Sequence, residues 1–184
     1  MFSVLAKLFF KLNGTKYGKK LKLRGLPCII RRQGQITIGD NVTINSSFMS
    51  NLIGMSHRTV IISRCPELKI EIGDNVGMSG TAIYARGQIT IGKGTMIGAN
   101  TKILDNDFHP IDIEARRVDD KSKIIVKPIS IGEDCFIGCN AIILKGTTLG
   151  RGCVVGAGAV VSGTFEDGSV IVGNPAKTIR VQEI

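Results

Sequence analysis

Aliphatic residues recur every six positions through the last part of the chain, at Ile131, Ile137, Ile143, Leu149, Val155 and Val161. Gly follows four of them, at 132, 138, 150 and 156, and a small residue stands two before each next aliphatic: Cys135, Ala141, Thr147, Cys153 and Ala159. This spacing fits neither the helix period of about 3.6 nor the strand period of about 2. It predicts a solenoid of short strands and turns, in which each hexad forms one flat side and three sides close a coil. Residues eighteen apart then stack, Ile131 over Leu149, Ile137 over Val155 and Ile143 over Val161. The aliphatic fills the interior, the small residue crowds the corner, and the following glycine relieves a turn that needs positive φ.

The same register appears less regularly upstream. A first repeat starts at Gln35 with Ile38 and Ile44, and regularity returns at Ile72, Met78 and Tyr84. After a one-residue slip near Ala85–Gln88, expected to be a bulged corner, it resumes at Ile91, Ile97 and Ile103. The link from Asn45 to Pro66 is poorly periodic and reads as a wide coil with a loop. The stretch LDNDFHPIDIEARRVDDKSKIIVKP interrupts the pattern again, predicting a charged loop over about residues 109–128. Loops set into a regular solenoid often carry function.

Length and charge sharpen this picture. At 184 residues the chain suits one domain. The net charge of +9 is concentrated in residues 1–32, which hold nine Lys or Arg and no acid. We divide the chain into a basic amphipathic cap, 1–34, and the solenoid, 35–184. In the cap, Leu5, Leu8, Phe9 and Leu12 form a helical stripe, with Lys7 and Lys11 beside it and Gly14 as a stop. Lys7 breaks the apolar run and no small-residue cleavage site follows, which argues against a signal peptide. The run is too short to span a bilayer. Two readings stay open: a helix covering the solenoid's open edge, or an interfacial helix making peripheral contact with an anionic membrane. Nucleic acid is not expected as a partner, because no stacking aromatics accompany the basic run.

Candidate chemistry is sparse. No Walker A or G-x-S-x-G motif occurs, and GAGAVV lacks the rest of a dinucleotide fingerprint. With only His57 and His109 in the chain, a three-histidine zinc site is excluded, and no metal is expected. The five cysteines follow no C-x-x-C spacing. Cys135 and Cys153 read as inward packing thiols of a reducing, cytoplasmic compartment, and Cys139 as the exposed one. By the hexad count Asp107 takes the small inward slot and Asp105 points outward.

The hexad register, His109–Pro110 where it gives way to the loop, and the closing PAKTIR together resemble the hexapeptide-repeat acyltransferases, most closely the sugar and polysaccharide O-acetyltransferase branch. The resemblance covers residues 70–180 well and 35–69 loosely, and does not reach the N-terminal helix. It implies an all-β, left-handed parallel β-helix, a homotrimer with sites between subunits, and acetyl-CoA as donor. It implies that His109 is the general base. A sugar hydroxyl must lose its proton as it attacks a thioester, and an imidazole titrating near neutrality suits that task. Asp105, Asn106 and Asp107 become candidates for binding substrate or orienting the imidazole, or turn-formers. Family members carry Asn near the position of Met78; here Met78–Ser79–Gly80 leaves Ser79 as a substrate contact. Cys139, Ala157, Ser162 and Gly163 match donor contacts, and Lys177 and Arg180 would face coenzyme A phosphates. Alternatives are an amino-sugar N-acetyltransferase, an antibiotic acetyltransferase, and a non-catalytic β-helix scaffold.

Overall fold

Six successive coils, each of three short strands, and a partial seventh build a left-handed parallel β-helix. The computed structural model describes residues 2–32, 34–66 and 68–184, apart from the side chains of Phe2, Ser3 and Leu5. Three faces result, of seven, eight and six strands; every third strand in sequence stacks in parallel on the same face, except that the last strand, Ala176–Val181, pairs antiparallel with the one before it. We call them the first, second and third faces in chain order. The expected stacking holds: Ile131 pairs with Leu149, Ile137 with Val155 and Ile143 with Val161. All six aliphatics are at most 2 % exposed, and so are the five small residues between them. Each such buried aliphatic contributes about 1.5–3 kcal/mol, and only stacked neighbours make that burial complete.

The glycines after the aliphatics serve a different purpose from the one expected. Positive φ falls two residues later, at Asp134, Asn140, Gly152 and Gly158. The glycines themselves lie against the next coil: a Cβ on Gly138 would sit 2.5 Å from the Ala157 nitrogen. Close approach between coils, rather than a left-handed turn, excludes a side chain there.

The lower coils carry more inward residues than one per hexad. Strands such as Gln35–Ile38 and Gln88–Ile91 are four residues long, so alternate positions both face inward, as Ile36 with Ile38 and Ile89 with Ile91. On the third face the pairs are Ile61 with Ser63 and Ile83 with Ala85. Tyr84, expected in the aliphatic series, therefore points outward, and Ile83 takes its place.

The solenoid begins earlier than residue 35. Lys16–Tyr17, Lys22–Arg24 and Cys28–Arg31 form a complete first coil, paired to the second. Only the helix α1, Phe2–Leu12, lies outside it. Its buried residues are Ala6 and Phe10, whose ring meets Tyr17 edge-on at 6.1 Å. Leu8, Phe9 and Leu12, expected on the inner stripe, are exposed together with Val4; the Leu5 side chain lies outside the described residues. One side of a short helix suffices to cover the end of a narrow prism, so Leu8, Phe9 and Leu12 are left facing out.

Two insertions leave the coils. One runs from Ser46 to Thr59, between the second and third faces, and contains a 3-10 turn at Phe48–Ser50. The other spans Asp105–Pro128, between the third and first faces, and contains the helix α2, Ile113–Arg117. The expected loop boundary of 109 thus falls a few residues inside the actual departure.

Candidate active site

The Asp105–Pro128 loop is anchored by its first residue. Asp105 is fully buried, and its carboxylate accepts hydrogen bonds from the backbone N–H groups of Arg86 at 2.8 Å and Gly87 at 2.7 Å. This corrects the expected outward Asp105. It occupies the inward position that Ala85 holds one coil below, and the bulged corner at Arg86–Gly87 exists to be bound by it. Burial pushes the Asp105 carboxyl above the usual carboxylate range, with the bonds from Arg86, Asn106 and Gly87 opposing that shift. Asn106, 5 % exposed, donates to Asp105 at 2.9 Å and accepts from Phe108 N–H at 2.9 Å. It also bridges to Val126 across the loop's neck. Asp107 is half-buried rather than inward, and Lys145 on the next coil pairs with it. Asp105 and Asn106 are thereby committed to the turn.

These bonds fix the segment leading to His109. Phe108 takes φ of 62° and lays its ring on Tyr84, centroids 4.7 Å apart. The His109 N–H donates to the Asp107 carbonyl at 2.6 Å. The imidazole is exposed, and among the described residues no side-chain hydrogen bond reaches it. Beyond it, Arg116 of α2 donates to the carbonyls of Pro110 and Ile111 at 3.0 and 2.8 Å, while Asp112 caps the helix through Ala115 N–H. The result is a fixed backbone that holds a free imidazole outward. An exposed neutral imidazole in this setting can accept a proton from a hydroxyl delivered to it.

The donor candidates fall at two corners. Cys139 and Ala157 stack one coil apart, after Gly138 and Gly156, and line a groove of about 360 Å3 walled by Asn51 and Ile53 of the first insertion. Lys177 lies beside this column, because the strand Ala176–Val181 runs back antiparallel and pairs Lys177 with Val172 and Arg180 with Val170. Both basic side chains are exposed. Ser162 and Gly163 are exposed at the other corner, between the third and first faces, on the side from which the long loop leaves. One chain therefore does not unite all six.

Ser79 is 6 % exposed and accepts from Asn45 Nδ2 at 3.0 Å, so it is set inside the coil rather than presented to a ligand. His57, in the first insertion, is half-buried with Nδ1 2.9 Å from the Arg58 carbonyl. Cys135 and Cys153 are buried, and desolvation pushes the Cys135 thiol up to about 11 and Cys153 in the same direction. They are packing groups. Among the described residues no cluster of three or more His, Cys, Asp or Glu could share a metal ion. Sequence reasoning missed Tyr84, Arg86, Lys145 and the Asn51–Ile53 wall. Only the slip at Ala85–Gln88 signalled any of them, by marking a corner that needed a partner.

The pattern of a hexapeptide repeat of succinyl-transferase matches residues 128–162. An uncharacterized 24.8 kDa protein in the cps region of Klebsiella pneumoniae is 36% identical over 157 residues, covering 83% of this chain and 61% of its own. The chain spans about three fifths of the length of the curated relatives it matches. Among solved structures, the N-acyltransferase AntD of Bacillus cereus, in complex with dTDP-4-amino-4,6-dideoxyglucose and coenzyme A, aligns with a TM-score of 0.72 at 21% identity. It covers 97% of this chain and 89% of that one, a likeness of fold. A hexapeptide-repeat acetyltransferase of Vibrio cholerae complexed with acetyl coenzyme A aligns with a TM-score of 0.54 at 29% identity, covering 63% and 61%.

Proposed function

Since this chain is a hexapeptide-repeat β-helix, the fold of the acetyltransferases it is similar to, we propose that it is an acetyl-CoA-dependent O-acetyltransferase acting on a hydroxyl of a sugar or surface-polysaccharide precursor. The observation that carries this is the free imidazole of His109, held outward by a braced loop that leaves an otherwise regular acetyltransferase-like solenoid. In the proposed reaction His109 takes the hydroxyl proton as that oxygen attacks the thioester carbonyl. A backbone N–H stabilises the oxyanion. Its collapse expels the thiolate of coenzyme A, which receives the proton from the imidazolium. The donor lies along the Cys139–Ala157 column with its phosphates toward Lys177 and Arg180, and Asp107 and Lys145 border the acceptor side.

Ser162 and Gly163 join the donor contacts only if a neighbouring subunit completes the site, so we propose a homotrimer. Outward apolar side chains support side-by-side packing: Met96 and Phe136, paired on the second face, and Ile111, Ile113 and Val118 on the loop are all exposed. No described helix is long and apolar enough to cross a membrane. The outward Val4, Leu8, Phe9 and Leu12 beside Lys7 and Lys11 support peripheral contact of a cytoplasmic enzyme with an anionic bilayer.

The test is release of free thiol from acetyl-CoA against a panel of sugars, amino sugars and hydroxylated antibiotics. Turnover with hydroxyl acceptors supports the reading, and turnover only with amines moves it to N-acetylation. An assembled protein that neither binds coenzyme A nor releases thiol with any acceptor is a scaffold.

A further inference from the structure

At the corner between the third and first faces, below the long loop, three arginines stand one above another. Arg31 pairs with Ser63 and Ser63 with Ala85, so the next residues, Arg32, Arg64 and Arg86, share one register position in consecutive coils. The backbones agree for the first two: Arg32 N–H donates to the Ser63 carbonyl and Arg64 N–H to the Ala85 carbonyl, while Arg86 N–H donates to the Asp105 carboxylate of the next coil. Coil spacing puts neighbouring guanidinium stems about 4.8 Å apart. Arg32 and Arg64 are exposed and Arg86 is half-buried. None of the ion pairs found among the described residues involves them. Three like charges at one strand spacing repel one another, and an anion lying between them relieves that repulsion.

Beside the ladder is a hollow of about 850 Å3, opening where Cys65 follows Arg64. Among the described residues, Arg86 and Lys69 supply its positive lining and Glu71 an acid, and Val126 and Pro128 from the returning limb of the loop close its upper side. The loop's outgoing limb starts at the same corner, through Asp105, and leads to His109 four residues on. A ligand seated in the hollow thus lies at the foot of the loop that holds the proposed base.

We propose that the arginine ladder and this hollow recognise a phosphate or carboxylate group on the acceptor, so that the preferred acceptor is an anionic saccharide. This rests on the acetyltransferase reading above. The ladder extends over three coils, which suits a ligand with more than one negative charge, and planar guanidinium groups pair with either anion bidentately. Glu71 is then the group that limits how far the anion moves along the first face.

The experiment titrates the full-length protein by calorimetry with inorganic pyrophosphate, trigalacturonate and neutral maltotriose. One of the two anions binds in a salt-sensitive manner, and maltotriose does not. The tighter anion identifies phosphate or carboxylate as the recognised group. Arg64→Ala and Arg86→Ala each weaken that binding about tenfold, and Arg86→Lys recovers part of it. Because the Arg86 backbone bond to Asp105 survives side-chain truncation, the fold is retained, checked by circular dichroism. Equal anion binding by wild type and the combined Arg64→Ala, Arg86→Ala variant overturns the proposal, as does a combined variant that changes oligomeric state without changing anion affinity, which makes the ladder a subunit contact. Acetyl transfer is measured separately, with matched charged and neutral sugars. Ladder-dependent anion binding without any thiol release leaves the ladder standing and removes the acetyltransferase reading.

Discussion

The two insertions of this solenoid each carry one of its two histidines, and they hold them differently. The Ser46–Thr59 insertion is tied down by Asn100, which accepts from Ser56 N–H at 2.8 Å and donates to the Gly54 carbonyl at 3.0 Å. Its His57 ring is half-buried and engaged by the Arg58 carbonyl. The Asp105–Pro128 loop is tied down by Asp105, and every bond near its tip is made by backbone or by neighbours of His109, leaving the ring itself free. In both cases one polar side chain at a coil corner fixes a whole excursion. What differs is the cargo: the first insertion walls the Cys139–Ala157 groove with Ile53, and the second presents an imidazole.

The sharpest way to break this comparison is to exchange the histidines' fates. His109→Ala lowers kcat by about 10²–10⁴, as loss of a general base does, while acetyl-CoA affinity measured by calorimetry stays unchanged. His57→Ala leaves kcat within about twofold, because truncation of a residue remote from the chemistry acts only through stability. A larger effect at position 57 would reverse the assignment.

Next is the anchor. Asp105→Ala strips partners from two backbone donors at a buried corner, and each orphaned donor costs about 1–3 kcal/mol, read as a lowered denaturation midpoint together with reduced activity. The pH dependence is specific. Burial raises the Asp105 value in the folded state, so its stabilising contribution is complete below the unfolded value and declines as pH rises through the raised one. Relative to Asp105→Asn, wild-type stability therefore falls with rising pH across that interval. A parallel pair of stability curves would show that the hydrogen bonds cancel the effect of burial and leave the Asp105 value unshifted.

Asn100→Gly tests the other insertion without backbone strain, since Asn100 already sits at φ of 63°. Losing its side-chain bonds costs about 1–2 kcal/mol and speeds hydrogen exchange over residues 50–58. The Michaelis constant for acetyl-CoA rises and kcat is little affected. The smallest effect is expected at Lys177→Ala, where an exposed charge contributes about fivefold or less to acetyl-CoA binding. Equal sensitivity of a neutral acetyl thioester lacking the phosphates would remove Lys177 from the donor site.

The inward positions from Ile131 to Val161 were legible, because they obey one rule and each hexad has the same length. The irregular coils were not, for a local reason. Four-residue strands bring a second residue inward, and counting hexads onward from Ile103 carried the inward slot to Asp107 instead of Asp105. The alternation Ile61–Ser63 and Ile83–Ala85 contains the correct answer, but it emerges only once the strands are aligned on their third face. Helix α1 illustrates the opposite difficulty. Its apolar stripe was legible, yet among the described side chains the helix buries Ala6 and Phe10 and leaves Leu8, Phe9 and Leu12 exposed. His109 was singled out through the family resemblance, as a histidine before proline where the repeat gives way to the loop. Its supports were not, because Lys145 and Tyr84 come from coils on either side of the loop.

The reversed strand Ala176–Val181 has a consequence for how large an object this chain can make. Parallel coils of one pitch present matching upper and lower edges, so a bare solenoid is self-complementary end to end and would polymerise along its axis. On the second face the last parallel strand, Ser169–Gly173, is instead covered by a segment of opposite polarity, whose own outer edge no longer matches the bottom of another copy. At the opposite end α1 packs against the first coil. Each end of the solenoid thus carries a segment that breaks the parallel pattern, which lowers its tendency to add another copy along the axis.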